Sequence, residues 1–138
     1  MHIHLHGSKI PAAFLETISA VTDNAKLRYA EIEYDESTGT IDLPMTRFPL
    51  LKQRKVLGNL HDVENPIFSK VRIQNVVSCE VNNRTSAKVG DEVTLLFGLQ
   101  ISNNSVAMFS AEEEKGEPCF TLVIEVADFN LEVIDQPV

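Results

Sequence analysis

The chain is poor in the residues that mark several common classes of protein. It has no tryptophan, only two tyrosines and two cysteines, although seven phenylalanines are present. The scarcity of large aromatics disfavours a platform on which bases or sugars stack. No apolar run approaches the roughly 20 residues that a membrane-spanning helix needs. Cys79 and Cys119 have neither C-x-x-C nor zinc-type spacing, which argues against a cysteine-based zinc site.

The N-terminal segment lacks the pattern of a secretory signal. Residues 1–7 alternate histidine with isoleucine and leucine, whereas a signal peptide places a cationic segment before an apolar run. We therefore expect a cytoplasmic protein whose thiols are reduced.

Basic residues are outnumbered: 12 lysines and arginines face 20 aspartates and glutamates, which gives a formal net charge of −8. Such an acidic balance repels phosphate backbones and anionic lipid surfaces. It predicts a soluble protein that binds neither nucleic acid nor membrane.

The length of 138 residues and the 43% apolar content are those of one globular domain with a substantial core. Neither a repeat nor a linker divides the chain. We therefore expect residues 1–138 to form a single β-rich domain, with its strands concentrated in 27–134.

Alternating apolar residues in the second half predict strands. In 71–81 the apolar residues at odd positions are Val71, Ile73, Val77, Cys79 and Val81, and the even positions are polar except Val76. This facing also predicts a buried Cys79 and leaves Cys119 more exposed. Residues 93–101 alternate more cleanly, with Phe97 on the apolar face. Residues 120–126 and 129–133 form two further apolar faces. Between these last two the phase shifts by one residue at Ala127-Asp128, so the chain must carry a bulge or turn a corner into another strand; the sequence favours a bulge or bend.

Turn residues separate the predicted strands. Ser102–Ser105, Lys115-Gly116 and Asp35–Gly39 have the composition of hairpin turns. The result is a prediction of a mainly β fold: a seven- to eight-stranded antiparallel sandwich or flattened barrel.

One helix is predicted before the strands, over about residues 11–24. Ile10, Phe14, Ile18 and Val21 recur at helical spacing, Pro11 suits a first turn, and Asp23-Asn24 ends the segment. Its apolar stripe must cover the end or edge of a β-layer.

Three of the four histidines, His2, His4 and His6, alternate along the N-terminal segment. On a strand they share one face, close enough for two imidazoles to reach one divalent transition metal, with His61 as a possible further ligand. The alternative is a solvated or inter-subunit histidine face.

A second candidate is the basic segment 47–55. Arg47, Lys52, Arg54 and Lys55 lie within nine positions beside Phe48, a composition that suits an anion or an acidic partner. A solvated loop is the alternative.

No short catalytic signature is present: the chain lacks G-x-G-x-x-G, a P-loop, G-x-S-x-G and H-E-x-x-H. We therefore expect a non-enzymatic binding or assembly module without a cofactor that acts through protein contacts, with a homodimer through the edge segment Ile3–Leu5 as an ordinary solution. The alternatives are a metal-binding protein or metal-dependent enzyme that uses the histidines, and a barrel that holds a small apolar ligand.

Overall fold

The computed structural model describes residues 2–7, 12–47, 55–56, 59–60, 66–83, 92–111 and 113–136. Within them the chain forms one α-helix, a 3-10 turn at Tyr29–Glu31 and mostly short strands. In chain order these are β1 (His2–Gly7), α1 (Ala12–Thr22), β2 (Lys26–Leu27), β3 (Glu33–Asp35), β4 (Thr40–Arg47), β5 (Lys55–Val56), β6 (Asn59–Leu60), β7 (Ile67–Ile73), β8 (Val76–Asn83), β9 (Val93–Thr94), β10 (Gln100–Ser102), β11 (Ser105–Phe109), β12 (Glu113–Glu114), β13 (Glu117–Pro118), β14 (Phe120–Val126) and β15 (Phe129–Asp135).

The strands form two antiparallel sheets in a sandwich-like arrangement, which confirms the predicted mainly β class. The larger sheet has seven strands in the order β1-β15-β7-β4-β2-β9, with β3 paired to β4. The smaller sheet has four, in the order β10-β11-β14-β8, and two small hairpins pair β5 with β6 and β12 with β13. The structure also contains strands of two or three residues that the sequence does not predict, because they are too short to show an alternating pattern.

The core lies between the two sheets. Leu43, Val71 and Leu131 of the larger sheet and Met108 and Leu122 of the smaller one are fully buried in a single cluster. The alternation follows because successive side chains of a strand point to opposite faces. The outer face of the larger sheet is therefore polar where its inner face is apolar.

Helix α1 is confirmed, and it contacts β10 at one end of the smaller sheet. Ile18 and Val21 of the predicted stripe are buried. Asn24 ends the helix in the left-handed conformation, at φ 59°, as the residue after a helix commonly does. Within the described ranges, no helix has both the length and the apolar character needed to cross a membrane.

The predicted single strand over 71–81 is wrong. Asn75 adopts a positive φ of 59° between β7 and β8, so the chain leaves the larger sheet and enters the smaller one. Val76, the residue that breaks the alternation, is the first residue after this corner. At Ala127-Asp128 the chain crosses back from β14 to β15, and a register shift next to it at Glu125/Val126 accompanies the crossing.

The two corners lie side by side. The amide nitrogen of Ala127 donates to the carbonyl oxygen of Asn75 at 2.9 Å, and the Asn75 side chain donates to the carbonyl oxygen of Asp128 at 3.2 Å. The segments β7–β8 and β14–β15 therefore bend next to each other, and each segment contributes one strand to each sheet.

The segment 93–101 is also divided rather than continuous. β9 belongs to the larger sheet and β10 to the smaller one, and Leu95 between them bridges to Ser110 beyond β11. Phe97 and Gly98, both at positive φ, form the turn. This crossing links the sheets a third time.

The three predicted hairpin turns are confirmed. Ser102 pairs with Ser105 around Asn103 at φ 52°, and Glu114 pairs with Glu117 around Lys115 and Gly116, which both have positive φ. Asp35 pairs with Thr40. These turns form where asparagine, glycine or a local side-chain bond makes the required backbone accessible.

Candidate functional site

The predicted histidine strand, β1, lies at one end of the larger sheet. It pairs with β15 so that His4 is opposite Glu132. The exposed His4 donates from Nε2 to Oδ1 of Asn130 at 2.7 Å, and the Asn130 side-chain amide donates to Oε1 of Gln74 at 2.8 Å. A polar chain thus runs from β1 to Gln74, the residue that follows β7.

The other predicted metal ligands are described only in part or not at all. His2 and His6 are placed only by their backbone register, opposite Ile134 and Asn130, and His61 lies outside the described residues. In the described part of the chain, no group of three or more histidines, cysteines, aspartates or glutamates is arranged to hold a metal ion. The metal site stays a prediction.

A row of charged residues crosses five strands on the outer face of the larger sheet. Successive strand registers align His4, Glu132, Arg72, Asp42 and Glu33. At its centre, Arg72 donates from Nε and Nη2 to the two carboxylate oxygens of Asp42, at 2.8 and 3.1 Å. These bonds, and then the Asp42 charge, raise the pKa of Arg72. The central charges of the row therefore neutralise each other.

A pocket of about 590 Å³ opens beside this row. Its lining is polar apart from one aromatic ring: Glu33, Tyr34, Asp35, Thr38, Thr40, Asp42, Arg72 and Gln74. Asp35 accepts bonds from the Ser37 hydroxyl at 2.6 Å and from the Ser37 amide at 3.0 Å, which lower the pKa of Asp35. Two of the pocket's three carboxylates thus already have protein donors, and they stabilise the sheet and the β3–β4 turn.

Of the predicted basic loop, the structure places Arg47 in β4 with 1% exposure. Its guanidinium bonds to Asp135 and to the Ser69 hydroxyl, so its charge is used inside the protein. Lys55 is in β5, while Lys52 and Arg54 lie outside the described residues. The anion-binding loop therefore stays a prediction, and Arg47 is committed to an internal ion pair.

The most exposed apolar residues of β8 lie where the smaller sheet ends. β8 pairs with β14 on one side, and in the described ranges no strand pairs with its other side, which we call the β8 edge. Val77 and Val81 are 67% and 45% exposed. Cys79 lies between them, half-buried, and burial raises the pKa of its thiol.

The cysteine exposures are the reverse of those predicted from the sequence. Cys119 is buried, because it precedes β14 in the interior of the smaller sheet. Cys79 has the predicted facing, but its strand ends the sheet and leaves the thiol partly uncovered. The alternation in 71–81 gives the face of each side chain, whereas exposure depends on strand order.

A further exposed apolar residue is Phe97, in the turn between β9 and β10. It is 62% exposed and has a φ of 61°, a conformation that is strained for a bulky residue. Its carbonyl oxygen accepts bonds from the Ser19 hydroxyl at 2.8 Å and the Gln100 side chain at 2.9 Å. The sequence signal for this turn is Gly98, which is unusual inside a strand.

Comparisons with protein-family models, with curated proteins and with solved structures found no match.

Proposed function

We propose that this protein is a non-enzymatic binding or assembly module that contacts another protein chain along the β8 edge. The proposal rests on one observation: this eight-residue strand ends the smaller sheet and exposes Val77 and Val81. The outer side of such a strand presents backbone N–H and C=O groups that can pair with an added strand. Backbone bonds would supply affinity, and the valines would supply apolar contact.

The strands at the other sheet ends are shorter than the eight-residue β8 and offer fewer backbone groups for pairing. β9 has two residues and β10 has three; the chain after β9 bridges to Ser110, and α1 contacts β10. β1 is six residues long and carries the three histidines. Proteins usually protect a long edge with lysine or proline, and β8 contains neither.

A peptide selection tests this function directly. The folded protein would be screened against a phage-displayed library of random peptides, and the enriched peptides would be measured on three proteins: wild type, Val81→Lys and Phe97→Lys. We expect binding to wild type and to Phe97→Lys but not to Val81→Lys, because lysine at a strand edge opposes pairing. Phe97→Lys is the matched control. Phe97 is similarly exposed but lies in the turn before β10, and β10 and β8 are at opposite ends of the smaller sheet.

Two outcomes would count against the proposal. If no peptide is enriched at concentrations where the protein is monomeric, or if the enriched peptides bind Val81→Lys as well as wild type, the β8 edge is not a binding surface. Loss of binding on treatment with a chelator would instead favour the metal-dependent alternative and direct attention to His2, His4 and His6. Circular dichroism of each variant establishes that it is folded.

A further inference from the structure

We infer that the chain bound along the β8 edge is a second copy of this protein, whose β8 pairs antiparallel with the first around a two-fold axis at Cys79. This inference rests on the proposed function and specifies the partner. The two four-stranded sheets would then join into one continuous sheet across the dimer. Closed two-fold pairing is the commonest way in which a protein associates with itself.

The order of side chains along β8 is self-complementary in this register. With Cys79 on the axis, Val77 of each copy lies opposite Val81 of the other, and Cys79 lies opposite itself. The two exposed valines therefore cover each other, and they do so twice because the interface is symmetric. Directly opposed apolar side chains are the unit that stabilises paired strands.

The same register avoids opposed charges. Glu80 lies opposite Ser78 of the other copy, so its carboxylate meets a hydroxyl. Moving the axis to Glu80 would place the two carboxylates opposite each other, which is destabilising. Moving it to Ser78 would place Val81 opposite Asn75, which lies in the corner outside the strand.

Directly opposed residues of a two-fold antiparallel pair share one face of the sheet, so the axis must pass through a residue position. With the axis at Ser78 or at Glu80, an exposed valine lies opposite an asparagine. With the axis at Cys79, the two exposed valines lie opposite each other.

Each copy carries a formal net charge of −8, which opposes association over longer distances. Added salt screens that repulsion and is therefore expected to strengthen the dimer.

The first measurement is sedimentation over a wide range of concentrations. Wild type and Phe97→Lys should show a concentration-dependent dimer. Val81→Lys should weaken it by about tenfold or more, because one substitution places a lysine opposite Val77 at two points of the interface.

The second measurement locates the axis. Directly opposed residues of antiparallel strands have Cα atoms about 4.5–5.5 Å apart, within the range that a disulfide spans. Diamide oxidises two thiols to a disulfide; its N=N bond takes up the two electrons and two protons and becomes a hydrazine. Cys119→Ser should form a covalent dimer at mildly alkaline pH, and Cys79→Ser should not.

The outcomes separate the inference from the function on which it rests. A protein that stays monomeric at every concentration but binds selected peptides would overturn self-pairing and leave the binding function. A dimer that is lost in Val81→Lys but gives no Cys79 disulfide would overturn the register. A dimer that persists in Val81→Lys, together with peptides that bind this variant equally well, would overturn both.

Discussion

Arg47 and Asp135 form a bidentate ion pair that crosses over the strand between them. Nη2 of Arg47 donates to Oδ2 of Asp135 at 2.7 Å, and Nε donates to Oδ1 at 3.1 Å. The Ser69 hydroxyl of β7 donates to the same Oδ1 at 2.7 Å. Because β7 lies between β4 and β15, this group ties three strands together near their ends.

Replacing Arg47 with methionine should destabilise the protein by about 3 kcal/mol, because it removes a buried, bidentate partner of the Asp135 carboxylate. Urea unfolding of Arg47→Met measures the change. The matched control is Arg72→Met: the Arg72–Asp42 pair has similar bonds, but the arginine side chain is 39% exposed, so we expect a loss of about 1 kcal/mol or less. Equal losses of unfolding free energy in the two variants would show that the burial of Arg47 does not strengthen its ion pair.

Acid should remove part of the stability that Asp135 supplies. Burial alone would raise the pKa of this carboxyl, but hydrogen bonds to it, the strongest of them from Arg47, outweigh burial and hold the pKa below its ordinary value of 3.8. A carboxyl whose pKa is lower in the folded state stabilises that state above the unfolded pKa. The contribution declines as the pH falls below 3.8 and is lost once it passes the folded pKa.

Asp135→Asn tests this dependence. The unfolding free energy of wild type should exceed that of the variant at neutral pH, and the two should converge in acid. In an Arg47→Met background the same substitution should give a much weaker pH dependence. An undiminished difference at acid pH would contradict the assignment.

Thr22 joins the end of α1 to the turn before β10. Its fully buried hydroxyl donates to the carbonyl oxygen of Ile18 at 2.6 Å and accepts from the Leu99 amide at 2.9 Å. Thr22→Val keeps the shape but leaves the buried Leu99 N–H without this acceptor, at an expected cost of about 1–3 kcal/mol. Thermal or urea unfolding measures the loss.

Thr17→Val is the control for this effect. The exposed Thr17 hydroxyl donates to the carbonyl oxygen of Ala13 one turn back along the same helix. Its removal should change stability by about 0.5 kcal/mol or less. Thr22→Ser, which keeps the hydroxyl, should recover part of the loss caused by valine.

Gly98 is required by both backbone conformation and space. At a φ of 65° it disfavours any side chain, and an added Cβ would lie 2.6 Å from the carbonyl carbon of Thr22. Gly98→Ala should therefore cost more than the roughly 1 kcal/mol of left-handed strain alone. Gly116→Ala isolates that strain, because Gly116 has a φ of 80° and nothing within 4 Å of the added atom. Similar losses in the two variants would show that the turn and helix move apart easily.

The features predicted correctly from the sequence are local ones. The Asn103-Asn104 and Lys115-Gly116 turns depend on the residues that form them, and α1 depends on spacing within one segment. The strand assignments over 71–81 and 93–101 failed because alternation continues through a corner when residues on both sides face the same core. Asn75 and Gly98 were the local signs of those breaks.

The exposure of the β8 edge could not be predicted from the sequence, for a different reason. Val77 and Val81 alternate as buried residues do, and their exposure follows from β8 having a neighbour only in β14 among the described strands. Strand order arises from contacts between distant segments, so no pattern within 76–83 contains it. The Ile3–Leu5 segment lies at an edge as expected, since β1 has a neighbour only in β15 among the described strands.

The pairing of β1 with β15 determines when the larger sheet can be completed during synthesis. His2–Gly7 leaves the ribosome before its partner, Phe129–Asp135, which lies more than a hundred residues later in the chain. Until then the opening segment has no neighbour, and the larger sheet cannot be completed while translation of this region continues. Because distant pairings of this kind form slowly, the nascent chain spends that interval with unpaired backbone, and the N-terminal strand joins the sheet only after its C-terminal partner has been made.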